Sequence, residues 1–112
     1  MMNYDGKKFR SFSSSENAEV SDEVIFEYHQ NGNVLTCQYQ GGAIKKGQLL
    51  GIVSKNGAID MRYHQILKNG SLQTGVCQST PEFRDDGRIR LHEKWKWTSG
   101  DFSEGNSILE EL

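Results

Sequence analysis

The chain has 112 residues with 13 basic and 15 acidic side chains, a formal net charge of −2 and 10% aromatic residues. This length suits one domain, residues 1–112, with a core of its own. The balance of charge excludes a polyanion binder, whose signature is a basic stripe, so no nucleic-acid partner is expected.

Residues 7–13 read as the first strand. The polar stretch 13–21 carries no tight-turn signal and is expected to be a longer connection with room for a short helical turn. Further strands are expected at 23–30, 33–40, 43–54, 58–68, 71–80, 88–98 and 101–112, where β-branched and aromatic residues alternate with polar ones. Between them stand Asn31-Gly32, Gly41-Gly42, Asn56-Gly57, Asn69-Gly70, Asp86-Gly87 and Ser99-Gly100. Such pairs suit two-residue turns at positive φ, which join neighbouring antiparallel strands. Pro81, the single proline, is expected to end its strand. No segment shows a convincing helical stripe. The expected fold is all-β: an eight-stranded antiparallel up-and-down meander closed into a small barrel, because closure removes both sheet edges.

Simple two-residue register then fixes the faces. It sets Tyr39 opposite Ile44, Cys37 opposite Lys46 and Leu35 opposite Gln48. Leu50 meets Tyr63, Gln65 meets Thr74, and Trp95 meets Glu104. One face collects Phe26, Tyr28, Leu35, Met61, Tyr63, Leu91, Trp95 and Trp97. It also collects Lys46, Gln48, Gln65, Gln78, Glu93, Glu104 and Asn106, more polar groups than a dry core takes, since each needs a partner or water. These polar groups either form a satisfied network at the barrel ends or line a cavity that binds a small polar ligand beside Tyr28, Tyr63 and Trp95. A bulge near Gly47 or Gly51 would alter the register. Glu93 and Gln65 are the expected anchors of any ligand.

Other constellations point less clearly to chemistry. His29, His64 and His92 fall on the outer face, on strands that are not mutual neighbours, so no metal is expected. Cys37 and Cys77 read as reduced thiols; Cys37 faces inward near Lys46, Cys77 outward near Arg62, and neither has a histidine base. Glu93 and Glu104, diagonal on adjacent strands, could have split pKa values and perform acid–base work. The basic run Arg88, Arg90, Lys94 and Lys96 reads as one solvated strand face. Leu49 and Ile66 on the outer face could seed a homodimer; otherwise the chain is a monomer. The first ten residues lack an apolar run and nothing approaches a membrane span, so a cytoplasmic location without a membrane partner is expected.

The runs Asp60-Met61-Arg62-Tyr63-His64-Gln65 and Leu91 to Asp101 (LHEKWKWTSGD) resemble a family of small bacterial proteins of no established role, over nearly the whole chain from Asn3-Tyr4-Asp5-Gly6 onward. Members are often labelled N-acetylglutamate synthase and look like calycin-type barrels, akin to lipocalins and fatty-acid-binding proteins. The label can be tested on residues. Gln38-Tyr39-Gln40-Gly41-Gly42-Ala43 matches the Q/R-x-x-G-x-G/A string with which acetyltransferases cradle acetyl-CoA, but a phosphate-binding helix should follow. Residues 44–53 read as a strand instead. The expected function is binding of a small polar or amphipathic ligand in the barrel without a cofactor; the alternatives are an enzyme and a structural or partner-binding protein.

Overall fold

The computed structural model describes residues 2–14 and 24–112, so most of the connection expected at 13–21 lies outside the described residues, as does Glu23. The described strands are β1 (Lys8–Ser14), β2 (Ile25–Glu27), β3 (His29–Asn31), β4 (Val34–Gly41), β5 (Ile44–Val53), β6 (Ile59–Leu67), β7 (Leu72–Phe83), β8 (Ile89–Trp97) and β9 (Glu104–Glu111). They form one antiparallel sheet in the order β2-β1-β9-β8-β7-β6-β5-β4-β3. β2 and β3 are the halves of one strand interrupted at Tyr28, whose N–H donates to the Lys7 carbonyl and whose carbonyl accepts from Gly6. The sheet thus returns to its start, and the expected all-β meander closes into a barrel with one short interruption.

Loop chemistry decides which face each strand shows. Asn56-Gly57, Asn69-Gly70 and Asp86-Gly87 do not form two-residue turns; each completes a three-residue loop. Gly57, Gly70 and Gly87 donate to the carbonyls of Ser54, Leu67 and Arg84 and sit at φ 89°, 89° and 84°. The preceding Asn or Asp side chain accepts from the backbone N–H two residues on, at 2.9–3.1 Å. This is a type I turn followed by a left-handed residue, which adds one residue to the simple count. Two further shifts arise elsewhere. In β5, Lys45 and Lys46 together oppose one residue, a β-bulge. Between β8 and β9, Trp97 N–H bonds the Ser103 carbonyl across a longer loop in which Phe102 is at φ 57°.

Side chains alternate with period two, so each one-residue shift turns the next strand over and the following shift turns it back. β4, β6 and β8 show the faces expected of them, whereas β5, β7 and β9 are inverted. Lys46 and Gln48 on β5, Gln78 on β7, and Glu104 and Asn106 on β9 therefore face solvent. So do Leu50 and Ile52, exposed by 59% and 60%. Leu49, Val53, Cys77, Ser79, Ser107 and Leu109 take the interior positions. Leu49 is thus unavailable for the outer contact expected of it. Pro81 lies inside β7 opposite Leu91. Pairing with β6 stops at Ser79, so the proline removes no ladder donor on that side.

Consecutive hairpins alternate between the two ends of the barrel. At the end carrying the β5–β6 and β7–β8 loops, the rings of Tyr4, Phe9 and Tyr28 pack with centroids 5.0–6.3 Å apart. Leu35, Ile59 and Leu91 are buried beside them. Tyr4 Oη donates to the Gly57 carbonyl, and burial pushes this phenol up to about 12. The cluster seals that end.

Candidate functional site

Above this apolar seal the interior contains a cavity of about 60 Å³. Its wall is largely aromatic. Phe26 and Tyr39 lie 4.9 Å apart between ring centroids, Tyr63 and Trp97 5.5 Å, and Trp95 and Trp97 5.9 Å. Two glycines set the ring positions. Gly47 is the cross-strand partner of Tyr39, and Gly75 that of Tyr63. A Cβ at either glycine would run into the facing tyrosine ring. Both rings lie flat on the neighbouring strand, which leaves the centre of the barrel open.

The polar groups at this wall form short, directed bonds. Tyr39 Oη donates to Gln65 Oε1 at 2.9 Å, and Gln65 Nε2 donates to Gln73 Oε1 at 2.9 Å. Trp95 Nε1 donates to Ser107 Oγ at 2.9 Å. Ser79 Oγ donates to Glu93 Oε2 at 2.6 Å. The Tyr28 hydroxyl, fully buried, has no hydrogen-bond partner among the described residues. Burial pushes the Glu93 carboxyl up to about 7, opposed by the bonds that Ser79 and Cys77 give it. Burial, reinforced by the Glu93 charge, pushes the Cys77 thiol far above its ordinary range. Cys37 is held up at about 12 by burial. Neither thiol is a ready nucleophile, because the thiolate is the reactive form.

Of the residues expected to hold a ligand, Tyr28, Tyr63, Gln65, Glu93 and Trp95 line the cavity together. The inverted strands carry the rest outward. Gln78, Glu104 and Asn106 share an outer surface with Arg62 and Lys94. Gln48 lies on another outer surface beside His64, and Lys46 is exposed at the bulge. The Glu93–Glu104 pair does not form, because Glu104 stands outside opposite Lys96. Cys77 points inward to Glu93 rather than outward to Arg62, and Cys37 lies opposite Leu49 rather than Lys46. His92 pairs with Glu82 at 2.7 Å and His29 with Asp5 at 4.0 Å, both on the surface. Among the described residues no group of three or more His, Cys, Asp or Glu is placed to hold a metal.

Sequence reasoning missed Ser79, Cys77 and Ser107, all on inverted strands. For Cys77 and Ser79 the signal was the Asx-Gly pair, which ends a three-residue loop as readily as it centres a two-residue turn; Ser107 follows from the longer loop before Ser103. The acetyltransferase-like string resolves in the same way. Gly41 ends β4, Gly42 at φ 53° forms the turn, and Ile44–Val53 is a strand. No helix N-terminus follows to meet a pyrophosphate.

A closed antiparallel meander around an interior cavity with a few inward polar groups defines a calycin-type barrel. Residues 2–112 match the family described as avidin-like protein, and the chain belongs to that family. No curated protein and no solved structure matches it.

Proposed function

We propose that the protein binds one small polar or amphipathic molecule inside the barrel and performs no chemistry on it. The observation that carries this reading is open hydrogen-bonding capacity within an apolar wall. Tyr28, whose buried hydroxyl is unpartnered among the described residues, lines the same cavity as Glu93. An unpaired buried hydroxyl costs about 1–3 kcal/mol, which a ligand atom bonded to it would remove. Membership of an avidin-like family supports the reading, as does the habit of small eight-stranded barrels of holding one ligand. The cavity measures about 60 Å³, against about 150 Å³ for one that admits benzene. The buried part of the ligand is therefore a head group of a few heavy atoms, with any longer portion passing the partly buried Tyr63. Binding is favoured over catalysis because no second carboxyl and no histidine lines the cavity beside Glu93 among the described residues, and Cys77 is held protonated.

Native mass spectrometry of freshly purified protein tests this reading. The expected result is a small-molecule mass retained by the wild type and lost in Glu93→Ala. A bare wild-type chain, with no thermal stabilisation from any member of a broad metabolite panel, would refute it.

A further inference from the structure

We infer that the head group taken by this cavity is an organic ammonium, held between the Glu93 carboxylate and the faces of the surrounding aromatic rings. This inference rests on the reading that the cavity binds a ligand, and names its chemistry. No Lys, Arg or His is among the residues lining the cavity, and no ion pair of Glu93 occurs among the described residues. A charge drawn partly out of water calls for an opposite charge, and among the described residues none lines the cavity. The groups that do touch the carboxylate, the Ser79 hydroxyl at 2.6 Å and the Cys77 thiol, are donors that favour its charged form. Ser79 engages one oxygen, Oε2, and a carboxylate has about four acceptor sites.

The walls fit the same guest. Trp95, Trp97 and Tyr63 line the cavity, and the negative face of an aromatic ring attracts a cation, most strongly where water is excluded. The Tyr28 hydroxyl can accept one ammonium N–H. An anionic head would meet the Glu93 charge and the ring faces unfavourably. A neutral head would leave the partly buried carboxylate without a counter-charge. The other titratable groups facing Glu93 are Tyr28, Tyr39 on β4, Tyr63 on β6 and Cys77 on β7, and burial holds all of them neutral. Among the described residues lining the cavity, Glu93 alone changes charge near neutral pH.

The test is an NMR titration of the Trp95 and Trp97 indole N–H signals in the whole protein. Ethylammonium, urea and acetate serve as cationic, neutral and anionic probes of matched size, at pH 8 and pH 5.5. Ethylammonium is expected to shift both signals saturably at pH 8, with a midpoint at least tenfold below those of urea and acetate. Its affinity should fall roughly thirtyfold at pH 5.5, as a carboxyl titrating near 7 demands. Glu93→Gln should remove this preference while leaving the weak urea response. Should that variant misfold, the pH series on the wild type carries the test alone. Urea binding as tightly as ethylammonium, without pH dependence, would overturn the ammonium assignment and leave a binding cavity. No response to any probe, together with a bare chain in native mass spectrometry, would overturn both readings.

Discussion

Removing the Tyr28 hydroxyl separates stability from binding. Tyr28→Phe keeps the ring, which packs against Phe9 at 5.0 Å and Tyr4 at 6.1 Å, and deletes only the buried oxygen that has no partner among the described residues. Relief of an unpaired buried hydroxyl is worth about 1–3 kcal/mol. For a chain of 112 residues, unfolding entropy of about 2.1 cal/mol/K per residue converts each kcal/mol into about 4 °C. The ligand-free variant should therefore melt about 4–12 °C higher than the ligand-free wild type, followed by circular dichroism on samples shown to be bare by native mass spectrometry. Because a bound ligand would satisfy the hydroxyl in the wild type, and the free variant no longer carries its cost, the same change should weaken binding by at least the same amount of about 1–3 kcal/mol, about five- to 150-fold. Tyr28→Ala should instead lose about 3–5 kcal/mol through the cavity it opens. A melting temperature for Tyr28→Phe equal to or below that of the wild type would refute the reasoning, because the hydroxyl would then be bonded in the free protein.

Further expectations concern the same interior. Glu93 has a folded-state pKa raised by burial from 4.5 to about 7, so the folded chain holds a proton that the unfolded chain releases. Its destabilising effect is absent below about pH 4.5, grows as pH rises to about 7 and is then constant at about 3 kcal/mol; Glu93→Gln should flatten this slope in urea melts at stepped pH. Gly75→Ala drives a methyl group into the Tyr63 ring and should cost about 1–3 kcal/mol while displacing the ring into the cavity and lowering ligand affinity; an unchanged urea midpoint would mean that the ring swings away freely. Tyr4→Phe abolishes the bond to the Gly57 carbonyl and should cost about 1–3 kcal/mol with no change in denaturant m-value, since the barrel stays closed.

Strands with lopsided alternation were legible from sequence because one of their faces had nowhere to go but inside. β4 carries Leu35, Cys37 and Tyr39 against Thr36 and Gln38, β6 carries Met61, Tyr63 and Leu67 against Arg62 and His64, and β8 carries Leu91, Trp95 and Trp97 against His92, Lys94 and Lys96. Burial free energy fixes these faces whatever the loops do, and with them Tyr63, Gln65, Glu93 and Trp95 at the site. β5, β7 and β9 lack that contrast. Leu50 and Ile52 are as apolar as Leu49 and Val53, Thr74 and Gln78 scarcely differ in polarity from Gln73 and Ser79, and Ile108 alternates with Leu109. Their faces were decided by single-residue features of the tertiary structure: a bulge at Lys45–Lys46, three-residue loops ending in left-handed glycines, and the longer loop before Ser103. A pair such as Asn69-Gly70 suits a two-residue and a three-residue loop equally, and only pairing with an already oriented neighbour selects between them. The interior therefore lost Lys46, Gln48, Gln78, Glu104 and Asn106 and gained Cys77, Ser79 and Ser107. It is smaller and drier than the sequence implied, and among the described residues lining its cavity Glu93 is the one carboxyl.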